Sequence, residues 1–210
     1  MSPTTFTPPI RPVVFFDLET GGLRVGVPII QIAAVAVDAS NQWTEVSSFE
    51  RKLQFKVEDC DPEALKVNRF NASTWKKEAV PPIQALRDFQ KYLEKYRSIE
   101  LVSARTGRPY QVTRVGGYNV RFDLDHIGEA FRGAGLFFPG QFNTALDVLQ
   151  GVIWSVERGE MASTKDMKLT TMAAALGVTT TGDAHDALVD VRLTAGVARV
   201  VLQGRQVEGV

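Results

Sequence analysis

Apolar positions follow two periods along the chain, and the switch between them outlines the elements. Pro12–Val13–Val14–Phe15–Phe16 is an unbroken apolar run closed by Asp17, the pattern of a central strand covered on both faces. Gly21–Gly22 marks a turn. Ile29 to Val37 is rich in β-branched residues and predicts a second strand. Val46 to Phe55 alternates and predicts a third, antiparallel in a meander. From Pro82 the period becomes helical, with Ile83, Leu86, Phe89, Leu93 and Tyr96 at three- and four-residue steps. Ile99 to Val115 predicts a hairpin turning at Thr106–Gly107–Arg108–Pro109. Leu124, Ile127, Phe131 and Ala134 give a second helical stripe, stopped near Gly133 and Gly135. Helices are predicted over 145–158 and over 169–176, the latter ended by Gly177. A closing helix carries Leu188, Val191, Ala195, Ala198 and Leu202. Three strands, then helices mixed with strands, define an α/β or α+β domain.

Composition narrows this picture. The 210 residues suit one domain, expected over 13–203 between an extended Pro-rich arm (1–12) and a short tail (204–210). With 44% hydrophobic and 23% charged residues the chain is neither disordered nor collagen-like. Lys+Arg and Asp+Glu balance at 24 each, so a polyanion must be held locally rather than by a whole-protein field. A single cysteine, Cys60, excludes an internal disulfide and a Cys-rich zinc site, and two histidines, His126 and His185, argue against a multi-His metal centre. The longest mostly apolar stretch, Pro28 to Val37, is too short to span a bilayer. The N-terminus lacks a secretory pattern, and the cytoplasm is the expected compartment, with no membrane partner.

Candidate chemistry lies in acids placed where apolar elements meet turns. Asp17 and Glu19 are two apart on a strand and share a face. Side by side and unpaired, at least one would take up a proton; divalent cations remove that penalty. Asp123 precedes the Leu124–Ala134 stripe, in a place that suits a helix cap or a ligand. His185 heads the closing helix, in a place that suits a capping histidine or a base. Asp186 and Asp190 are one turn apart there, with Asp186 the expected cap.

Asp17–Leu18–Glu19–Thr20–Gly21 after an apolar strand, Asn119-x-x-Phe122–Asp123 opening a helix, and His185-x-x-x-x-Asp190 in the last helix occur in that order. In this the chain resembles the DEDDh (DnaQ-like) 3′–5′ exonucleases. Asp61–Pro62–Glu63–Ala64–Leu65–Lys66–Val67–Asn68, Lys168–Leu169 to Gly177–Val178, and Leu146–Asp147–Val148–Leu149 also resemble family segments, so the likeness runs from Val13 to Leu202. Gln31 stands where many members carry Glu, Tyr118 where His is common, and the hairpin around Gly107 is longer than compact members need.

The resemblance implies a ribonuclease H-like fold: a central mixed five-stranded sheet, with a three-stranded antiparallel meander plus parallel strands, flanked by helices. It implies a two-metal-ion 3′–5′ exonuclease using two Mg²⁺, with Mn²⁺ as substitute. Asp17 resembles the bridging ligand, Glu19 and Asp190 ligands of the ion that binds the attacking water, Asp123 a ligand of the second ion, and His185 the general base. Thr20, Leu23, Asn119 and Phe122 are the candidates for holding the terminal nucleotide. For Leu23 and Phe122 ordinary packing is the competing role, and for Asn119 bracing of its turn. The implied partners are single-stranded DNA or RNA 3′ ends, DNA preferred, with proofreading beside a polymerase partner chain, or repair, as the setting. RNA trimming is the alternative within the class. A non-catalytic nucleic-acid-binding module and a phosphohydrolase of free nucleotides compete outside it. Arg105, Arg108 and Arg114 on the hairpin suit either a phosphate track or a solvated surface.

Overall fold

The computed structural model describes residues 11–180 and 186–203. Of the expected N-terminal arm only Arg11 and Pro12 fall within this range, and Pro12 already opens the first strand; the rest of the arm, and the tail over 204–210, lie outside the described residues.

Strands β1 (Pro12–Thr20), β2 (Ile29–Asp38) and β3 (Thr44–Lys52) form the expected antiparallel meander. Two short strands, β6 (Val115–Gly117) and β7 (Leu146–Asp147), join the other side of β1 in parallel, giving the order β3-β2-β1-β6-β7. Gly116 makes this tight packing possible: a Cβ there would lie 2.8 Å from the Leu146 carbonyl oxygen and 2.9 Å from the Phe15 ring. A separate two-stranded sheet is formed by β4 (Arg97–Val102) and β5 (Pro109–Thr113).

The period-2 alternation of β1 divides the core into two layers. Val14, Phe16 and Leu18 pack with α3 (Pro82–Glu94) and α4 (Arg121–Gly133) on one face. Val13 and Phe15 pack on the other with α5 (Val148–Glu157), α6 (Leu169–Ala175) and α7 (Ala187–Gln203). Ala33, Ala34 and Ala36 line both faces of β2 and are fully buried. Where the β2–β3 register shifts after Ala36, its N–H donates to the Tyr92 hydroxyl at 3.0 Å, so α3 satisfies the bulge. A smaller cluster of Ile30, Leu65 and Trp75 anchors α1 (Pro62–Val67) and α2 (Ala72–Glu78), and the Trp75 indole N–H donates to the Ile30 carbonyl at 3.2 Å.

Three expectations shift. The third strand ends at Lys52 instead of Phe55, and Leu53 bridges to Val80. The hairpin ends at Thr113; Val115 belongs to the main sheet, because Val14 N–H bonds the Arg114 carbonyl at 2.9 Å. The helix expected from Ala145 starts at Val148, because Asp147 caps it through the N–H groups of Leu149 (3.0 Å) and Gln150 (3.4 Å). Trp154 is 62% exposed on α5. Among the described residues no helix is long and apolar enough to cross a membrane.

Candidate active site

Asp17 and Glu19 leave β1 on the odd-numbered face that carries Val13 and Phe15, so the apolar row facing α7 ends in two carboxylates. The start of α7 meets them with two more. Asp186 caps this helix by accepting the Leu188 N–H at 3.0 Å, and its carbonyl accepts the Asp190 N–H at 3.0 Å. Asp123 arrives from the first turn of α4. Its Oδ1 accepts the Leu18 N–H at 3.0 Å, from the residue between the two strand acids. This is a tie between helix and strand rather than the helix cap that its position also suited; the residue before α4, Val120, makes no side-chain cap.

The acids act on one another. Burial pushes the Asp17 carboxyl up to about 8, and Asp190 adds to it. Burial also pushes Glu19 up to about 8, followed by Asp17, Asp190 and Asp186. Asp123 is held well above the usual carboxylate range, first by burial and then by Asp17, although the Leu18 N–H works against the shift. Among the described residues none of Asp17, Glu19 and Asp123 has a basic ion-pair partner. Gln31 lies opposite Glu19 in the β1–β2 register and donates to Glu50 at 3.0 Å. Its neutral amide spares the cluster another like charge next to Glu19.

No group of three His, Cys, Asp or Glu side chains stands in ready metal-ligand arrangement among the described residues. The donor chemistry nevertheless fits a hard divalent ion: the cluster is all carboxylate oxygen, it is crowded with like charge, and its buried members are held above their ordinary pKa. His185 lies outside the described residues.

Beside Glu19 opens a pocket of about 370 Å³, whose lining includes Thr20, Leu23, Asn68 and Phe122. Its floor is pinned from α1 and the turn before it. Asn68 Nδ2 donates to the Thr20 carbonyl at 2.9 Å, and the Asp61 N–H donates to the Gly21 carbonyl at 2.7 Å. The Thr20 hydroxyl is spent on the Gly22 carbonyl at 2.7 Å. A side chain at Gly21 would meet Cys60 Sγ at 2.4 Å, so the strand exit and the α1 approach fit only with glycine there. Leu23 is 86% exposed at the pocket rim. The residue after it is anchored: His126 bridges the Arg24 carbonyl (3.2 Å) and the Phe122 carbonyl (2.9 Å), with its ring 4.2 Å from that of Phe122. Asn119 adopts left-handed backbone, φ +59°, which asparagine tolerates. Its N–H donates to Asp147 Oδ1 at 3.1 Å and its carbonyl accepts the Phe122 N–H at 3.2 Å, so it braces the turn that presents Phe122 and Asp123. The Tyr118 hydroxyl donates to the Met167 carbonyl and ties the same turn to the segment before α6.

The structure thus gathers Asp17, Glu19, Asp123 and Asp190 at one place, with Thr20, Leu23 and Phe122 at the adjoining pocket. Sequence reasoning gave no role to Asn68, to Asp61 as a pin on Gly21, or to Asp147 as the brace of Asn119. The Asp61–Pro62 pair is a helix-start signal that could have placed α1.

No protein-family model and no curated protein matches the chain. Solved structures do match, and what they share with this chain is its fold, the mixed five-stranded sheet flanked by helices. The particular structures it superimposes on include exonuclease I. The zinc-bound complex of the Escherichia coli enzyme with single-stranded DNA matches with TM-score 0.72 and 18% identity, over 93% of this chain and 41% of that one. Exonuclease I of Methylocaldum szegediense, described as moderately thermophilic, gives TM-score 0.68 and 18% identity over 94% and 41%. A complex of exonuclease I with SSB-Ct gives 0.71 and 15% over 94% and 42%. What this chain shares with them is the fold, and it spans about two fifths of their length.

Proposed function

We propose that the protein is a metal-dependent 3′–5′ exonuclease that releases nucleoside 5′-monophosphates from single-stranded ends, DNA preferred. The observation that carries the reading is the convergence of Asp17, Glu19, Asp123 and Asp190 beside a nucleotide-sized pocket, in the fold of exonuclease I. Those four carboxylates would hold two Mg²⁺, with Mn²⁺ as substitute. When bound, the ions neutralise the phosphate and make a water nucleophilic near neutral pH. Leu23 and Phe122 flank the terminal base, and the Thr20 stretch, fixed by Asn68, supports its sugar. Asn119 sets the turn from which Phe122 and Asp123 project. His185, at the head of α7 in sequence, takes the proton from the attacking water; imidazole titrates in the range this task needs. The water oxygen bonds to phosphorus, the bond from phosphorus to the 3′ oxygen breaks, and the mononucleotide leaves.

The exonuclease I structures include complexes with single-stranded DNA and with SSB-Ct, which supports a nucleic-acid partner here. They give no support to a polymerase partner chain. The test is a 5′-labelled single-stranded DNA and its RNA counterpart, each with Mg²⁺, Mn²⁺ or EDTA, beside Asp17→Ala. A metal-dependent ladder shortening from the 3′ end, absent in the variant, is the expected result. A faster RNA ladder transfers the reading to RNA trimming. Intact oligonucleotides throughout, with retained binding, replace it by a non-catalytic module.

A further inference from the structure

The β4–β5 hairpin, 97–113, is not used by the site described above, and it bounds one side of a groove of about 620 Å³ against α4. The groove holds two exposed aromatics side by side: Tyr110 on β5 (38% exposed) and Phe137 (53% exposed), in edge contact at 6.2 Å. Arg132, near the end of α4, lies in the same groove. The hairpin is mostly basic: over 97–114 it carries Arg97, Arg105, Arg108 and Arg114 against the single acid Glu100, in a chain whose net charge is zero. Arg105 and Arg108 sit exposed on the turn.

The first turn of α4 links the groove to the candidate active site. Phe142, in its lining, lies against Gly128 of α4, where a Cβ would meet the ring at 2.9 Å. The Arg121 guanidinium, in the first turn of α4, stands over the same ring at 5.6 Å. Two residues on from Arg121 is Asp123. Along α4 the two arginines are paired within the helix, Arg121 with Asp125 at 2.9 Å and Arg132 with Glu129, so the unpaired aromatic surface beside the helix is that of Tyr110 and Phe137 and the cations are those of the hairpin. Thirteen helical residues span about 20 Å.

We infer that this groove is the track for single-stranded nucleic acid 5′ of the reacting end, its bases stacking on Tyr110 and Phe137 and its phosphates facing the hairpin arginines. The inference rests on the proposed nuclease reading and names where its substrate's body lies. Arginine charge with interleaved exposed aromatics is the chemistry that holds single strands without reading sequence.

The test compares a dinucleotide with a 12-mer on the wild-type chain, on the double variant Tyr110→Ala/Phe137→Ala, and on Arg105→Glu/Arg108→Glu. All four residues are exposed. KM for the 12-mer rises about 10-fold in either variant while the dinucleotide is cleaved as before. The conservative pair Tyr110→Phe/Phe137→Tyr restores the wild-type value. The arginine variant also loses about 1.4 from the slope of log affinity against log salt. An unchanged KM for the 12-mer overturns the track, and so does a variant that changes only self-association in sedimentation, which assigns the face to a second copy. A wild type that cleaves neither substrate removes the nuclease reading; anisotropy of a labelled 12-mer in EDTA, on wild type and variants, then decides the track on its own.

Discussion

At the start of β1, Val13 and Phe15 face the α5–α6–α7 layer and are sealed in a packed apolar core. At its end, on the same face and in the same register, Asp17 and Glu19 meet Asp190 and Asp186 and are pushed up to about 8 by burial and mutual repulsion. One half of the strand contributes stability; the other opposes it unless a cation or proton intervenes. Folded proteins hold like charges in this way chiefly where the charges do chemistry. The scaffold around the acids is correspondingly firm: Leu18 N–H on Asp123, Asn68 on Thr20 and Asp61 on Gly21 fix backbone on three sides.

Substitutions at the two ends of β1 act in opposite directions. The largest effect is on turnover: Asp17→Ala lowers the rate of 3′-end hydrolysis by about 10³-fold or more while circular dichroism stays native. A variant with wild-type turnover would remove Asp17 from the site. His185→Ala lowers kcat by about 10²–10⁴-fold, and its pH–rate profile loses the limb that a general base supplies; an unchanged profile would leave the histidine without that role. On stability, Phe15→Ala costs about 3–5 kcal/mol by denaturant melting, because a fully buried ring leaves a cavity. Asp17→Asn, two residues on, raises the Tm of the metal-free protein at pH 8 by about 3–6 °C, the shift that ~1–2 kcal/mol gives in a chain of this size. A lower Tm for Asp17→Asn would show that the acids are not in conflict.

Asp17 and Glu19 have folded pKa values of about 8, above those of the unfolded chain. The native state then binds protons that the unfolded state releases. Their contribution is complete below about pH 4 and is lost as pH rises toward 8. Melting of the metal-free protein is expected to fall across that window, and less steeply in Asp17→Asn. A flat profile would contradict the shifts.

Much of this architecture was legible in the sequence because it rests on strong periods. The apolar run ending at Asp17 and the stripes of α3 and α4 each bury a continuous face, and such faces are written in residue spacing. The acids were legible for the opposite reason: a carboxylate at the end of a buried run has no packing role. Four features were not legible. Helices α1 and α2 have six and seven residues, too few to show a period. Asp147 ends a two-residue strand and caps a helix at once, so its apolar neighbours read as one helix. Arg114 interrupts the Val112–Val115 stretch, but only the pairing of Val14 with Val115 shows that the chain changes sheets there. The role of Asn68 runs through a backbone carbonyl, which leaves no mark in the sequence.

The end of β1 carries an acid cluster suited to exchanging protons for divalent cations. Titration of Mg²⁺ into the protein at pH 7, with proton release followed by calorimetry in buffers of different ionisation enthalpy, tests it most directly. With Asp17 and Glu19 at about 8, both are largely protonated before the ion arrives. Saturable binding with release of about one to two protons, lost in Asp17→Asn, is the expected result. Binding without proton release, or equal binding by the variant, would contradict it.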